Sequence, residues 1–213
     1  MKVALIGASG MIGSRVLKEL VSRGHQVIAV VRDPSKVDAA PGVTAVKADV
    51  SDVAALAEAL RGADALVSAY GPGPGNEQLV IPATKAILEA ARRAELQRVI
   101  LVGGAASLFV APGVTLLDSG HLPKEWVGIA TAHSGLLELL RTTDLGAGLD
   151  WTYFSPASFI QPGERTGKFR LGKDEMVADA QGQSRISAED YAVALVDELE
   201  HPQHVRQRFT IGY

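Results

Sequence analysis

The chain is predicted to be an α/β protein built on a doubly wound, mostly parallel sheet, and three observations predict it. Short apolar runs recur at Lys2–Ile6, Gln26–Val31, Val43–Lys47, Ala65–Tyr70 and Arg98–Gly103. Each is apolar almost throughout instead of alternating, as befits a strand covered on both faces. Helical patterns fall between the runs, and a crossover between parallel strands lays its helix on the sheet.

Residues 1–103 therefore read as five strand–helix steps. The first helix begins near Met11. Ser51 and Asp52 precede a Val53–Leu60 helix that Gly62 follows, and Gly75 and Asn76 precede a long helix to about Ala94. Pro82 falls in its first turns, where proline does least harm. Gly104–Pro123 breaks the pattern and is long enough to serve as a binding loop. Lys124–Thr143 is helical again. Asp150–Phe154 forms a sixth strand that Ser155-Pro156 ends, because proline disfavours helix at the residue before it. Residues 161–185, rich in glycine and charge, read as turns with short strands on the substrate side of the same domain. Ser187 opens the last helix with a capping signature, and Arg208–Ile211 forms a short final strand.

Bulk properties narrow the function. At 213 residues, 47% hydrophobic and 21% charged, the chain suits one globular domain spanning 1–213. It has no apolar stretch of about 18 residues, which argues against a membrane role. A net charge of −3 with scattered Lys and Arg supplies no basic stripe for nucleic acid. The cysteine count of zero removes disulfides, thiolate catalysis and Cys-ligated zinc. No signal-peptide pattern precedes the first strand, so a cytoplasmic protein is expected.

The chemistry begins where the first strand ends, at Gly7-Ala8-Ser9-Gly10-Met11-Ile12-Gly13. A G-x-x-G-x-x-G run between strand and helix combines a tight turn, close backbone approach to a pyrophosphate and free helix N–H groups for the anion. Gly7, Ser9, Gly10, Met11, Ile12 and Gly13 are thus the expected phosphate cradle of a Rossmann-like dinucleotide site. Arg32 directly follows the second strand, where the adenosine ribose should lie. An arginine there can form charge-assisted bonds to a 2′-phosphate, which favours NADP(H), whereas Asp33 turned to the ribose would favour NAD(H).

These residues resemble the short-chain dehydrogenase/reductase superfamily, in its atypical NAD(P)H-binding branch of flavin-reductase-like, biliverdin-reductase-B-like and NmrA-like proteins. The likeness covers nearly the whole chain: GASGMIG, VVRDP, KADVSD, ALVSAYGPG, ATKAILEAARRA, RVILVGG, DWTYFSPASF and ISAEDYA. It implies that Asp49 and Val50 meet the adenine, that Ala69, Tyr70 and Gly71 run along the adenosine ribose, and that Pro156, Ala157, Ser158 and Phe159 lie beside the nicotinamide amide.

One departure stands out. Typical members carry Tyr-x-x-x-Lys on the helix after the fifth strand, the tyrosine donating a proton and the lysine lowering its pKa. Aligning Glu138 with the glutamate that usually follows that lysine puts Ala130 at the tyrosine position and Ser134 at the lysine position. His133 is then one position off that face. Without the dyad, the expected reaction is hydride transfer to a conjugated acceptor such as a flavin or quinone, which the pocket only has to align. Ser107, near the superfamily's substrate-facing serine, and His121, in the long loop, are the candidates to assist. A catalytically silent NADP(H) sensor is the alternative, and a reductase or epimerase of a carbonyl or nucleotide-sugar-like metabolite is a third. His25, in the helix-to-strand turn, and His201 with His204 near the end of the last helix lack the carboxylate or third-ligand company that a metal site needs.

Overall fold

A computed structural model describes residues 1–213. In chain order the elements begin with β1 (Lys2–Ile6), α1 (Met11–Ser22), β2 (Gln26–Val31), β3 (Val43–Lys47), α2 (Val53–Leu60) and β4 (Ala65–Ser68). They continue with α3 (Val80–Arg93), β5 (Arg98–Val102), β6 (Phe109–Ala111), β7 (Val114–Thr115) and α4 (Lys124–Thr142). The last are β8 (Asp150–Ser155), β9 (Phe159–Gln161), β10 (Arg170–Gly172), β11 (Arg185–Ser187), α5 (Ala188–Glu200) and β12 (Gln207–Gly212).

Eight strands form one sheet in the order β10-β12-β8-β5-β4-β1-β2-β3, parallel except for β10 against β12. This is the doubly wound, Rossmann-like arrangement. Alternate side chains of β1 enter different cores: Val3 and Leu5 pack with α1 and α5, while Ala4 and Ile6 pack with α2, α3 and α4. Strand β1 therefore has no solvent face, which is why its apolar run is unbroken.

Two expectations are corrected. The β2-to-β3 connection holds only a 3-10 turn at Pro34–Lys36, so residues 1–103 are not five strand–helix steps. Residues Asp33–Pro41 supply no apolar stripe for a helix, and β3 is accordingly a largely exposed edge strand. The Gly104–Pro123 loop contains a hairpin, β6 with β7, turning at Pro112-Gly113, where Gly113 takes φ +73°.

Side-chain caps start two of the five α-helices. The Asp52 carboxylate accepts from Ala55 N–H at 3.0 Å to start α2, and the Ser187 hydroxyl accepts from Asp190 N–H at 3.0 Å to start α5. The residue 161–185 segment supplies β10 to the sheet. Its start is strapped down by carboxylates: Glu19 of α1 receives both Nε and a terminal nitrogen of Arg165 at 2.8 Å, and Glu189 receives Gly163 N–H at 2.7 Å. Buried Asp190 receives Thr166 Oγ at 2.6 Å and Gly167 N–H at 2.8 Å. No helix is long and apolar enough to cross a membrane.

Candidate functional site

The sheet reverses its winding between β1 and β4, since β1 has β2 on one side and β4 on the other. A crevice opens at the carboxyl ends of strands at such a point. Here it is a cleft of about 1140 Å³ that runs from the β1–α1 loop to α4.

The first loop is shaped by what its glycines omit. Gly7 takes φ +80°, and a Cβ on it would stand 2.4 Å from the Ala69 carbonyl oxygen of the neighbouring loop. A Cβ on Gly13 would stand 2.0 Å from Gly7 O, so α1 can approach the strand end only with glycine there. Gly10 precedes α1 without a side-chain cap, which leaves the first-turn N–H groups for an anion. Backbone donors, the helix dipole and the absent Cβ atoms together fit a pyrophosphate.

At the outer end Arg32 is exposed, lines the cleft and makes no ion pair. The Asp33 carboxylate is turned to Ser35, accepting from its hydroxyl at 2.7 Å and its N–H at 3.1 Å. The Ser35 hydroxyl bond chiefly holds this carboxyl below its usual pKa. Asp49 is likewise held low, first by the Ser51 hydroxyl, with Arg32 adding a smaller effect. Tyr70 is half-buried, and burial raises its phenol pKa against the opposing field of Arg32.

At the inner end α4 presents Trp126, Ile129 and His133, facing Val102 and Gly103 at the end of β5. The Tyr153 hydroxyl lies 3.0 Å from the His133 carbonyl oxygen and 3.3 Å from His133 Nδ1, and it accepts from Gly104 N–H at 3.0 Å. Burial drives the His133 imidazole pKa down to about 4. No cluster of three or more potential metal ligands is present.

Most of the expected contacts meet in this one cleft: Gly7, Ser9, Gly10, Met11, Ile12, Arg32, Asp49, Val50, Ala69, Tyr70 and Gly71 all line it. Gly13 stands behind the loop as a packing position. Others lie elsewhere. Ser107 sits beside buried Arg208, whose guanidinium reaches Ser107 Oγ at 3.4 Å, because the turn closed by Leu108 N–H on Ala105 O directs it away from the cleft. His121 is exposed on its loop and bonds only through its N–H, to Ser119 Oγ. Pro156, Ala157, Ser158 and Phe159 also stand outside: Ala157 is buried, and Ser158 donates its hydroxyl to Ser184 O at 2.9 Å as β9 begins.

On α4 the residues that face the cleft differ from the expected face. Its cleft-facing pair, four apart, is Ile129 and His133, whereas Ala130 is buried and Ser134 Oγ is buried without a partner. The Trp126, Ile129, His133 spacing on one helical stripe was the signal that sequence reasoning missed.

A doubly wound sheet with an anion cradle at its reversal point defines a dinucleotide-binding protein. Residues 7–202 match the family described as NAD(P)H-binding, and the chain belongs to that family. It is 42% identical to the uncharacterized protein YwnB of Bacillus subtilis over 99% of this chain and 98% of YwnB. A Bacteroides thetaiotaomicron protein provisionally assigned as an epimerase is 44% identical with a TM-score of 0.92, covering 100% of this chain and 96% of that one. A Streptococcus pneumoniae protein provisionally assigned as an NADH-flavin reductase is 35% identical with a TM-score of 0.87, covering 100% and 99%. The likeness to the atypical short-chain dehydrogenase/reductases is thereby borne out.

Proposed function

We propose that the protein is an NADP(H)-dependent oxidoreductase that passes hydride to a flat conjugated acceptor such as a flavin or quinone, without a Tyr-x-x-x-Lys dyad. The observation that carries this reading is the inner end of the cleft. Trp126, Ile129 and Val102 form flat apolar walls there, and α4 has no tyrosine with which to protonate a carbonyl. Such walls can stack and align an aromatic acceptor.

The β1–α1 loop holds the pyrophosphate, Ala69 to Gly71 border the adenosine, and Arg32 receives the 2′-phosphate. Arg32 is free of carboxylate partners, and Asp33 is engaged with Ser35 instead of reaching for a ribose hydroxyl. Both favour NADP(H). The reduced nicotinamide supplies the hydride when bound. His133 stays neutral at physiological pH, so it does not act as a charged acid, and an acceptor that delocalises the incoming electrons can take its proton from solvent. The similar Streptococcus pneumoniae protein, by its provisional name, supports a flavin as acceptor.

Steady-state oxidation of NADPH with FMN, FAD and a panel of quinones tests the proposal. Turnover with at least one of them is expected, and none above background with any would overturn it.

A further inference from the structure

His133 and Tyr153 form a small device whose proton positions follow from counting donors. The Tyr153 hydroxyl has one proton and two acceptor sites. The His133 carbonyl oxygen, 3.0 Å away, has no proton to offer, so the hydroxyl donates there. Gly104 N–H occupies one acceptor site of the phenol oxygen. Nδ1, at 3.3 Å, can then join only by donating its own proton to the remaining site. The Nδ1–H tautomer is the one that satisfies all three contacts together, and it leaves Nε2 with a bare lone pair. Nε2 has no partner within the protein and is not sealed from solvent, opening onto the cleft that His133 lines.

The device is also held sterically. A Cβ on Gly103 would stand 2.2 Å from the Tyr153 ring, and one on Gly104 would stand 2.8 Å from His133 Cβ. Two consecutive glycines at the end of β5 thus let phenol and imidazole reach their places. Burial keeps the imidazole neutral, so Nε2 stays bare at neutral pH.

We propose that His133 Nε2 accepts a hydrogen bond from the hydride acceptor, selecting flat heteroaromatic acceptors that carry an imide N–H, of the isoalloxazine class, over quinones. The inference rests on the oxidoreductase reading above. A bare nitrogen set among apolar walls meets a quinone oxygen lone pair against lone pair. It meets an N–H as a partner, and leaving either group unpaired in a desolvated site carries a penalty. Tyr153 is a positioning residue in this scheme, because it touches no ligand and fixes which imidazole nitrogen is bare.

The test is a fluorescence titration of the NADP+-loaded protein, which cannot turn over, with lumiflavin and with N3-methyl-lumiflavin. The parent should bind the methylated flavin about five- to tenfold more weakly, the worth of one hydrogen bond between neutral groups. In His133→Leu the gap should close, and in His133→Gln, which returns an acceptor near the Nε2 position, it should partly reopen. Tyr153→Phe should narrow the gap while 15N NMR of the labelled imidazole changes from a pure Nδ1–H form to mixed tautomers. Equal affinities in the parent, an unchanged gap in His133→Leu, or an Nε2–H signal in the parent would overturn the proposal. So would a His133→Leu protein that loses NADP+ affinity and keeps its flavin discrimination, since Nε2 would then serve the cofactor. If no acceptor supports NADPH oxidation the oxidoreductase reading fails, yet this titration still reports on His133 independently.

Discussion

A Cβ on Gly13 would stand 2.0 Å from the Gly7 carbonyl oxygen, nearer than any two such atoms can sit. Both the added atom and its obstacle belong to backbone-fixed positions, so no rotamer change relieves the clash. Gly13→Ala should therefore cost at least about 2 kcal/mol in denaturant melts, as overpacking does, and weaken dinucleotide binding by moving α1 off the strand end. Gly71→Ala is the control, because a Cβ there meets nothing within 4 Å and φ is unstrained. It should leave the stability of the fold within about 0.5 kcal/mol.

Arg32→Ala separates the two cofactors. Loss of a charge-assisted contact to a 2′-phosphate should weaken NADPH by roughly ten- to a hundredfold in calorimetric titration and leave NADH nearly unchanged. Equal losses for both would mean that Arg32 touches the adenosine and not the phosphate.

The Arg208 side chain is 0% exposed and relies on Asp174, which takes its Nε at 2.8 Å and also an ion pair from Arg141. Burial opposes the Asp174 charge, but the two arginines outweigh it and hold the carboxyl below its usual pKa. Asp174→Ala strands a buried guanidinium. Because Asp174 is itself 39% exposed, the expected loss is about 2 kcal/mol, less than the full cost of breaking a wholly buried pair. Asp150→Ala removes the more exposed pair with Arg206 and should cost no more than about 0.5 kcal/mol. Thermal or urea unfolding of both variants distinguishes them.

His133 also predicts an acid response. Its pKa is about 4 in the folded chain against a reference of 6.5, so the unfolded chain binds the extra proton between those values. Stability attributable to keeping this ring neutral is complete above about pH 6.5 and is lost as the pH falls toward 4, by roughly 3 kcal/mol in all. The difference in unfolding free energy between the parent and His133→Gln, measured from pH 7 to pH 4, should therefore shrink by that order. A constant difference would contradict the assigned burial of the imidazole.

Much of this was legible because the strongest signals are short-range. The continuous apolar runs of β1, β2 and β5 and the capping residues Asp52 and Ser187 needed no knowledge of what surrounds them. The cofactor loop was legible for the same reason, since backbone geometry alone demands Gly7 and Gly13. The hairpin of β6 and β7 had a visible turn signal in Pro112-Gly113 that was absorbed into a long loop. The face of α4 was misjudged by one residue because the reference point was a single glutamate, Glu138, and a one-residue error turns a helix by about 100°. Ser107 and Phe159 were beyond reach in a different way. Where they point is set by Arg208 and by the pairing of β9 with β11, contacts that join residues distant in the chain.

The strap at residues 163–167 is fastened mainly by donors from the segment to the carboxylates of Glu19, Glu189 and Asp190 on α1 and α5, with one bond in the other sense, from the Ser187 hydroxyl to Glu164 O at 2.7 Å. Arg165 chiefly holds Glu19 below its usual pKa; at Glu189 burial pushes the other way, but Arg15 together with the backbone N–H groups of Gly163 and Glu189 outweighs it. The ties of Glu19 and Glu189 hold above the ordinary carboxylate range and loosen as the pH falls through their depressed values. The hydrogen-bonded ladder and apolar cores of the sheet carry few such carboxylate ties. Acid strong enough to protonate Glu19 and Glu189, helped by screening salt, thus loosens the strap in addition to the general loss through His133, whereas denaturant at neutral pH acts on the apolar cores. Limited proteolysis at low pH and raised salt should cut residues 163–167 earlier than it does at neutral pH.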